Sequence, residues 1–334
     1  MPATIRDVAR EAGVHVSTVS RAFSAPGMVG PDTRRRVLAV SARLGYRPNP
    51  AARALITGRT HNIGLIVADI ANPFFAPLIR SAQRQARARG YHIFVGDTDE
   101  DPDTEQELVR ALAKQVDGVV LCSPRLPNRD IVALCEETPL VVVNRLVRGV
   151  PSVLMDVATG ARTAIDHLAD LGHREIALLS GPHASWTSRQ IRRAASRTAE
   201  RRGARLTVLG PNPPTEDGGR RQAGPVVEAG ASAVLAYNDL MALGLIEGLD
   251  ELGVDVPGRV SVVGFDDIAL SRLTRPKLTT IANPVTAAGH AAVDLLLQQP
   301  DTGAGASLML PTDLVVRRST SAGPHTSTGT GGRR

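Results

Sequence analysis

Between residues 61 and 266 the chain repeats one pattern. Short apolar runs rich in Val, Ile and Leu alternate with stretches whose apolar residues recur at helical spacing. The runs are "NIGLIVADI", "YHIFVGD", "DGVVLCS", "PLVVVNR", "EIALLSG", "LTVLG", "AVLAYND" and "VSVVGFD". They lack polar alternation, which predicts parallel strands buried on both faces. A helix is predicted over 73–90, with Phe74, Phe75, Leu78, Ile79, Ala82 and Ala86 on one side. The class is α/β, with enough units for two doubly wound sheets and a division near 157–160, after "VLMDVATG". Ligands of such folds bind at the carboxyl ends of the strands, so a cleft between the two sheets is the expected pocket.

The first 60 residues read differently. Thr4 suits an N-cap, with Asp7 three residues on, and Ile5, Val8, Ala9 and Ala12 form one apolar face that ends at Gly13. A second helix is predicted from about His15 to Phe23, with Val14, Val19, Ala22 and Phe23 for a core. A third starts at Gly30-Pro31-Asp32 and stops at Gly45. Helix, glycine turn, helix, helix is a helix-turn-helix pattern. In "YRPNPAARALITGRT", Asn49 caps a further two turns that Gly58 ends. So short a helix needs a partner to be stable.

Charge sharpens this division. Residues 1–60 hold ten Arg against three acids, a net +7, whereas the whole chain carries +6. A basic head on a near-neutral body points to a polyanion partner for the head. The length of 334 residues suits two or three domains, and the 43% hydrophobic and 22% charged residues fit a soluble globular protein. No apolar run approaches the ~20 residues of a membrane span. "MPATIRDVAR" has no secretory h-region, so a cytoplasmic protein is expected. Cys122 and Cys135 have neither zinc nor redox spacing and read as core thiols.

Catalytic signals are missing. There is no G-x-G-x-x-G after the first strand, no Walker loop, no H-E-x-x-H and no G-x-S-x-G. The eight histidines show no metal spacing, and "DEDPD" at 99–103 lacks the glycine and final glutamate of a calcium loop. No catalytic residue, metal site or cofactor is expected, and the chain is not read as an enzyme.

Seven segments, "TIRDVAREAGVHVSTVSRAF", "LGYRPNPAARAL", "IGLIVADIANPFF", "LGHREIALLSG", "NDLMALG", "VPGRVSVVGFDD" and "LTTIANPV", resemble the lac repressor/galactose repressor family of bacterial transcription regulators. They stand in family order across about residues 3–318. The resemblance implies an all-α helix-turn-helix head at 1–48 and a hinge helix and linker at 49–60. It implies a core like the periplasmic sugar-binding proteins at 61–318. There the N-subdomain takes about 61–157 and 284–310, and the C-subdomain about 158–283 and 311–318. The tail 319–334, rich in Ser, Thr and Gly, is expected to be disordered.

The stretch "GVHVSTVSRAF" is oddly uncharged within an arginine-rich head. A recognition helix in the major groove explains it, because short side chains let the backbone approach base edges while long cations hold phosphates without reading sequence. Val16 and Ser17 match the family's main base-reading positions, with Thr18, Ser20 and Arg21 just beyond. His15 stands where the family usually has a serine cap; its ring is read as reaching a phosphate. Thr4, Tyr46 and Asn49 complete the expected DNA contacts, with Leu55 as a minor-groove wedge and Ala52 beside it.

For the effector, the resemblance carries over Phe74 and Phe75 as walls and Asn144, Asn238 and Asp266 as polar contacts. Trp186 is a stacking candidate and Arg189 a candidate guanidinium. Ile191 departs from the family, many of whose sugar-binding members have Arg there; the effector is expected to present an apolar edge, or less hydroxyl density than a free hexose, on that side. The implied protein is a DNA-binding regulator, read first as a repressor. It is controlled by a sugar-like or related small molecule, and binds a near-palindromic operator as a homodimer, with a tetramer left open and no membrane partner. The rival reading, a solute-binding module or sugar enzyme sharing the α/β core, leaves the basic head unexplained.

Overall fold

The structure is a computed structural model that describes residues 3–47, 58–298 and 305–324. Its contacts divide the chain into two units, residues 1–61 and 62–334. Asn49, Ala52 and Leu55, the expected hinge contacts, lie outside the described residues.

Three helices form the head: α1 (Ile5–Ala12), α2 (Val16–Ser24) and α3 (Pro31–Arg43). Thr4 and Asp7 form the predicted capping box, and Gly13 ends α1 at φ 62°, a left-handed conformation that glycine adopts without steric cost. Val8, Val19, Ala22 and Val37 are fully buried and make the small core.

The second unit holds two six-stranded sheets. In chain order, the first is built from β1 (Asn62–Val67), β2 (His92–Asp97), β3 (Val119–Cys122), β4 (Leu140–Val143), β5 (Ser152–Met155) and, from far downstream, β11 (Ser307–Leu310). Its spatial order is β11-β5-β4-β3-β1-β2, all parallel. The second comprises β6 (Glu175–Leu179), β7 (Arg205–Leu209), β8 (Ala233–Ala236), β9 (Ser261–Asp266), β10 (Thr279–Ala282) and β12 (Asp313–Val315), in the order β12-β10-β9-β8-β6-β7. Only β12 runs antiparallel to its neighbour. The chain therefore passes between lobes three times: after Met155, after Ala282 and after Leu310.

Helices cover the sheets: α4 (Phe75–Ala88), α5 (Pro102–Ala113), α6 (Asn128–Glu137), α7 (Val157–Asp170), α8 (Trp186–Arg201), α9 (Glu216–Arg220), α10 (Ala223–Glu228), α11 (Asp239–Glu251) and α12 (Val285–Leu297). Gly289 lets α12 lie against α4; a Cβ there would stand 2.4 Å from the Leu78 carbonyl oxygen.

Three expectations need correction. The run "YHIFVGD" is not buried on both faces: β2 is an edge strand, and Phe94 and Val95 are exposed. "LTVLG" likewise forms an edge, β7, none of whose residues is fully buried. The tail is ordered further than expected. Ser319 is fully buried, its hydroxyl donates to Val262 O at 2.6 Å and accepts from Thr279 N at 2.8 Å, and Gly323 N donates to Leu171 O.

Candidate DNA-reading helix and effector cleft

In the head, α2 buries Val19 and Ala22 and leaves His15, Ser17 and Arg21 exposed. Thr18 and Ser20 are half-buried. Val16, expected as a base-reading residue, is also half-buried and packs partly on the head core. His15 is the N-cap: its Nδ1 accepts from Ser17 N at 3.3 Å and lies 2.9 Å from Ser17 Oγ. One ring nitrogen is thus committed to the helix end rather than to a phosphate. Thr4 donates to Asp7 Oδ2 through both its amide (3.0 Å) and its hydroxyl (2.7 Å), and these bonds hold the Asp7 carboxyl below its ordinary value. Tyr46 meets Phe23 edge-on at 6.1 Å, and burial pushes its phenol up.

In the second unit, the carboxyl ends of strands from both lobes face one cleft. Phe74, Phe75, Asn144, Asn238 and Asp266 all line it, together with Asn72, Glu100, Ser123, Arg125, Thr187, Pro214, Tyr237, Phe265 and Asn283. Phe74 and Phe75 pack edge-to-face at 5.0 Å. Asn238 caps α11, accepting from Met241 N at 2.9 Å and donating to Pro214 O at 2.8 Å, so its role in the wall is partly structural. Asn144 sits at φ 64° and donates to Ser123 Oγ at 3.2 Å, while its Oδ1 is buried without a partner. Asn283 Oδ1 is orphaned in the same way. A buried acceptor left unpaired is costly, so both oxygens call for a donor.

Buried charges dominate the electrostatics of the cleft. Arg125 is buried and grips Glu100 with two bonds, Nε to Oε2 at 2.5 Å and NH2 to Oε1 at 2.8 Å, while NH1 donates to Ser123 O at 2.6 Å. Its charge is neutralised within the wall. Burial, and then the neighbouring Asp239, push the Asp266 carboxyl well above the ordinary range, against one bond from Asn283. Asp266 and Asp267 also sit at φ 124° and 56°, a strained pair of the kind found at functional sites. Thr187 Oγ1 donates to Asn144 O at 3.3 Å, joining the lobes. The enclosed space is only about 30 Å³, room for one or two waters against the ~300–1,000 Å³ of a typical ligand pocket. Past Glu100, Arg125 and Pro214, which line both spaces, it adjoins a wider groove of about 480 Å³ between the same two lobes.

Three expected effector residues do not line this cleft. Ile191 is 1% exposed in the core under α8. Its side chain is packed in the hydrophobic core and is not among the residues that line the cleft. Trp186 packs against the same core. Arg189 donates to the carbonyls of His183 and Ala184, capping a loop. The guanidinium that reaches the cleft is Arg125, from the other lobe, which sequence reasoning missed. Ser123, Tyr237 and Asn283 follow directly on strands β3, β8 and β10, and Arg125 stands three residues after β3, a signal that could have found them. Nothing local marks Glu100.

Comparison with known proteins decides the family. Residues 4–49 match the bacterial regulatory proteins of the lacI family, and residues 165–320 match a periplasmic binding protein-like domain. The regulator GalS of Salmonella typhimurium is 33% identical over 88% of this chain and 89% of its own length. The chain belongs to the LacI family of bacterial regulatory proteins. Catabolite control protein A of Priestia megaterium is also 33% identical, covering 96% of this chain and all of its own. Among solved structures, the lac repressor dimer bound to operator and the anti-inducer ONPF superposes with a TM-score of 0.87 at 29% identity, over 96% of this chain and 100% of that one. A CelR–cellobiose complex superposes at 0.71 and 28% identity, over 95% and 99%. This LacI-family chain is a DNA-binding transcriptional regulator and not an enzyme.

Proposed function

We propose that the chain is a homodimeric, cytoplasmic repressor. Its heads read a near-palindromic operator through α2, and its cleft binds a neutral, hydroxyl-rich effector that resets operator affinity. The observation that carries the effector reading is the pair of buried, unpaired acceptors, Asn144 Oδ1 and Asn283 Oδ1, in a cleft walled by Phe74, Phe75, Tyr237 and Phe265. Unpaired acceptors ask for hydroxyl donors, and aromatic walls suit the apolar faces of a sugar ring. Arg125 is already paired with Glu100, which disfavours an anionic ligand. Solved relatives described with bound ribose and with cellobiose support the same class. The operator reading rests on the exposed His15, Ser17 and Arg21, with Thr18 and Ser20 beside them, and on the +7 head. By family position, residues 1–48 form the DNA-binding domain and 49–60 the hinge, and Asn49, Ala52 and Leu55 are assigned to the DNA. The lac repressor relative, described as a dimer on operator, supports two heads per complex.

A thermal-shift screen of sugars, nucleosides and small acids on the full chain tests this, since a ligand of the folded state raises its Tm. A neutral sugar or nucleoside is expected to raise Tm and to change operator affinity. Stabilisation by anionic ligands alone would contradict the reading.

A further inference from the structure

The cap of α2 fixes more than the helix end. An amide can only donate, so the bond from Ser17 N to His15 Nδ1 makes Nδ1 an acceptor and places the ring proton on Nε2. Ser17 Oγ lies 2.9 Å from that same Nδ1. Two acceptors do not bond each other, so the Ser17 hydroxyl proton points at Nδ1 and shares that nitrogen's single lone pair with the longer bond from the amide. A serine hydroxyl has one proton and two lone pairs. With the proton spent on His15, only lone pairs remain for anything facing α2.

We infer that His15 fixes the Ser17 hydroxyl as an acceptor, so that α2 reads the exocyclic amino group of an adenine or a cytosine there. The inference rests on the reading of α2 as the recognition helix. In the major groove the donors are adenine N6 and cytosine N4, whereas guanine N7 and O6, adenine N7 and thymine O4 only accept. A free serine accepts or donates and discriminates little. A serine committed to His15 rejects a base edge that offers only acceptors, because two sets of lone pairs would face each other. His15 is exposed and Ser17 is exposed, so both reach the surface that would meet DNA. His15 acts here as a positioning residue. It works through Ser17, and a Ser in its place, itself a preferred N-cap residue, would cap α2 without holding that hydroxyl.

Operator analogues lacking single base atoms test this. The full chain is first used to select an operator, and the base position that changes with Ser17→Ala is identified. At that position the adenine is replaced by purine, or the cytosine by 2-pyrimidinone, to delete the amino group; 7-deazapurines delete the N7 acceptor instead. Deleting the amino group is expected to weaken binding of the parent by roughly fivefold, the worth of one hydrogen bond. The same deletion should cost Ser17→Ala nothing, and the 7-deaza operator should bind the parent normally. His15→Ser, checked for a Tm no lower than the parent's, should lose most of the amino-group dependence and tolerate G or T in place of the preferred base. The inference is overturned if the 7-deaza change weakens the parent in a Ser17-dependent way. It is equally overturned if amino deletion costs the parent and Ser17→Ala the same, if His15→Ser matches the parent on every operator, or if no base position depends on Ser17. Failure to bind any DNA would instead strike at the regulator reading itself.

Discussion

Asn283 Nδ2 donates to Asp266 Oδ1 at 2.9 Å, which ties the end of β9 to the segment that carries the chain back into the first lobe. Asp266 is thus both a wall of the cleft and a contact of a lobe crossing. A ligand that engages Asp266, or supplies the donor that Asn283 Oδ1 lacks, acts where the two lobes articulate.

Asp266→Ala is therefore expected to lower effector affinity by about tenfold to a hundredfold, the loss of one buried polar contact at ~1–3 kcal/mol. Effector-free operator binding should stay near the parent's if the effector is an inducer. Calorimetric titration with the ligand from the screen checks the first point and operator anisotropy the second. An undiminished affinity would remove Asp266 from the site.

Ser17→Ala and Val16→Ala should behave differently. Ser17 is exposed, so its loss should change base preference and leave Tm unchanged. Val16 also packs on the head core, so Val16→Ala should in addition cost the head about 1 kcal/mol. Operator selection with sequencing, alongside thermal melts, separates the two. Equal melts for both variants would mean that Val16 does not contribute to the core.

The +7 of residues 1–60 predicts steep salt dependence. If two heads make about 6–10 phosphate contacts, operator affinity should fall by roughly 10³–10⁵ between 50 and 200 mM salt. A shallow slope would mean that the arginines do not face phosphate.

Asp239 supplies a pH test. It is fully buried, and burial raises its carboxyl to about 6 although Ser271, Thr280 and Ile268 N all donate to it. The ordinary value is about 3.9. A carboxyl raised in the folded state binds its proton more tightly there. Its contribution is therefore full below about pH 4 and is lost as pH rises through 6. Relative to Asp239→Asn, the parent should gain about 1 kcal/mol of unfolding free energy between pH 7 and pH 5. Urea unfolding at both pH values measures this. A difference that does not change with pH would show that Asp239 is not raised.

Long elements were legible in the chain because their signals are redundant. The capping box at Thr4 and Asp7, the glycine stop at Gly13 and eight apolar runs all point one way. The strands β5, β10, β11 and β12 were not read as strands, since each has a Ser, Thr or Asp within its three or four residues, whereas β3, β4 and β8, just as short, are unbroken apolar runs. In the cleft, Asp266 and Asn144 were visible as polar residues at the carboxyl ends of strands. Glu100 was not, because it reaches Arg125 from a turn whose residues Asp99 and Glu100 both sit at positive φ, and no composition signal marks that. Ile191 was legible as a departure, but its 1% exposure is a tertiary fact. A helix of sixteen residues turns different faces to core and cleft, and spacing alone did not say which face position 191 occupies.

The measurement that most directly tests the account is operator selection by the full chain, compared with residues 62–334 in the same fluorescence-anisotropy titration. The full chain is predicted to enrich a near-palindromic sequence and to bind it at least a thousandfold more tightly than random DNA, within the range of specific regulators. The fragment without the head is predicted to show no binding to that sequence. Equal binding by the fragment, or a full chain that prefers no sequence over random DNA, would contradict it.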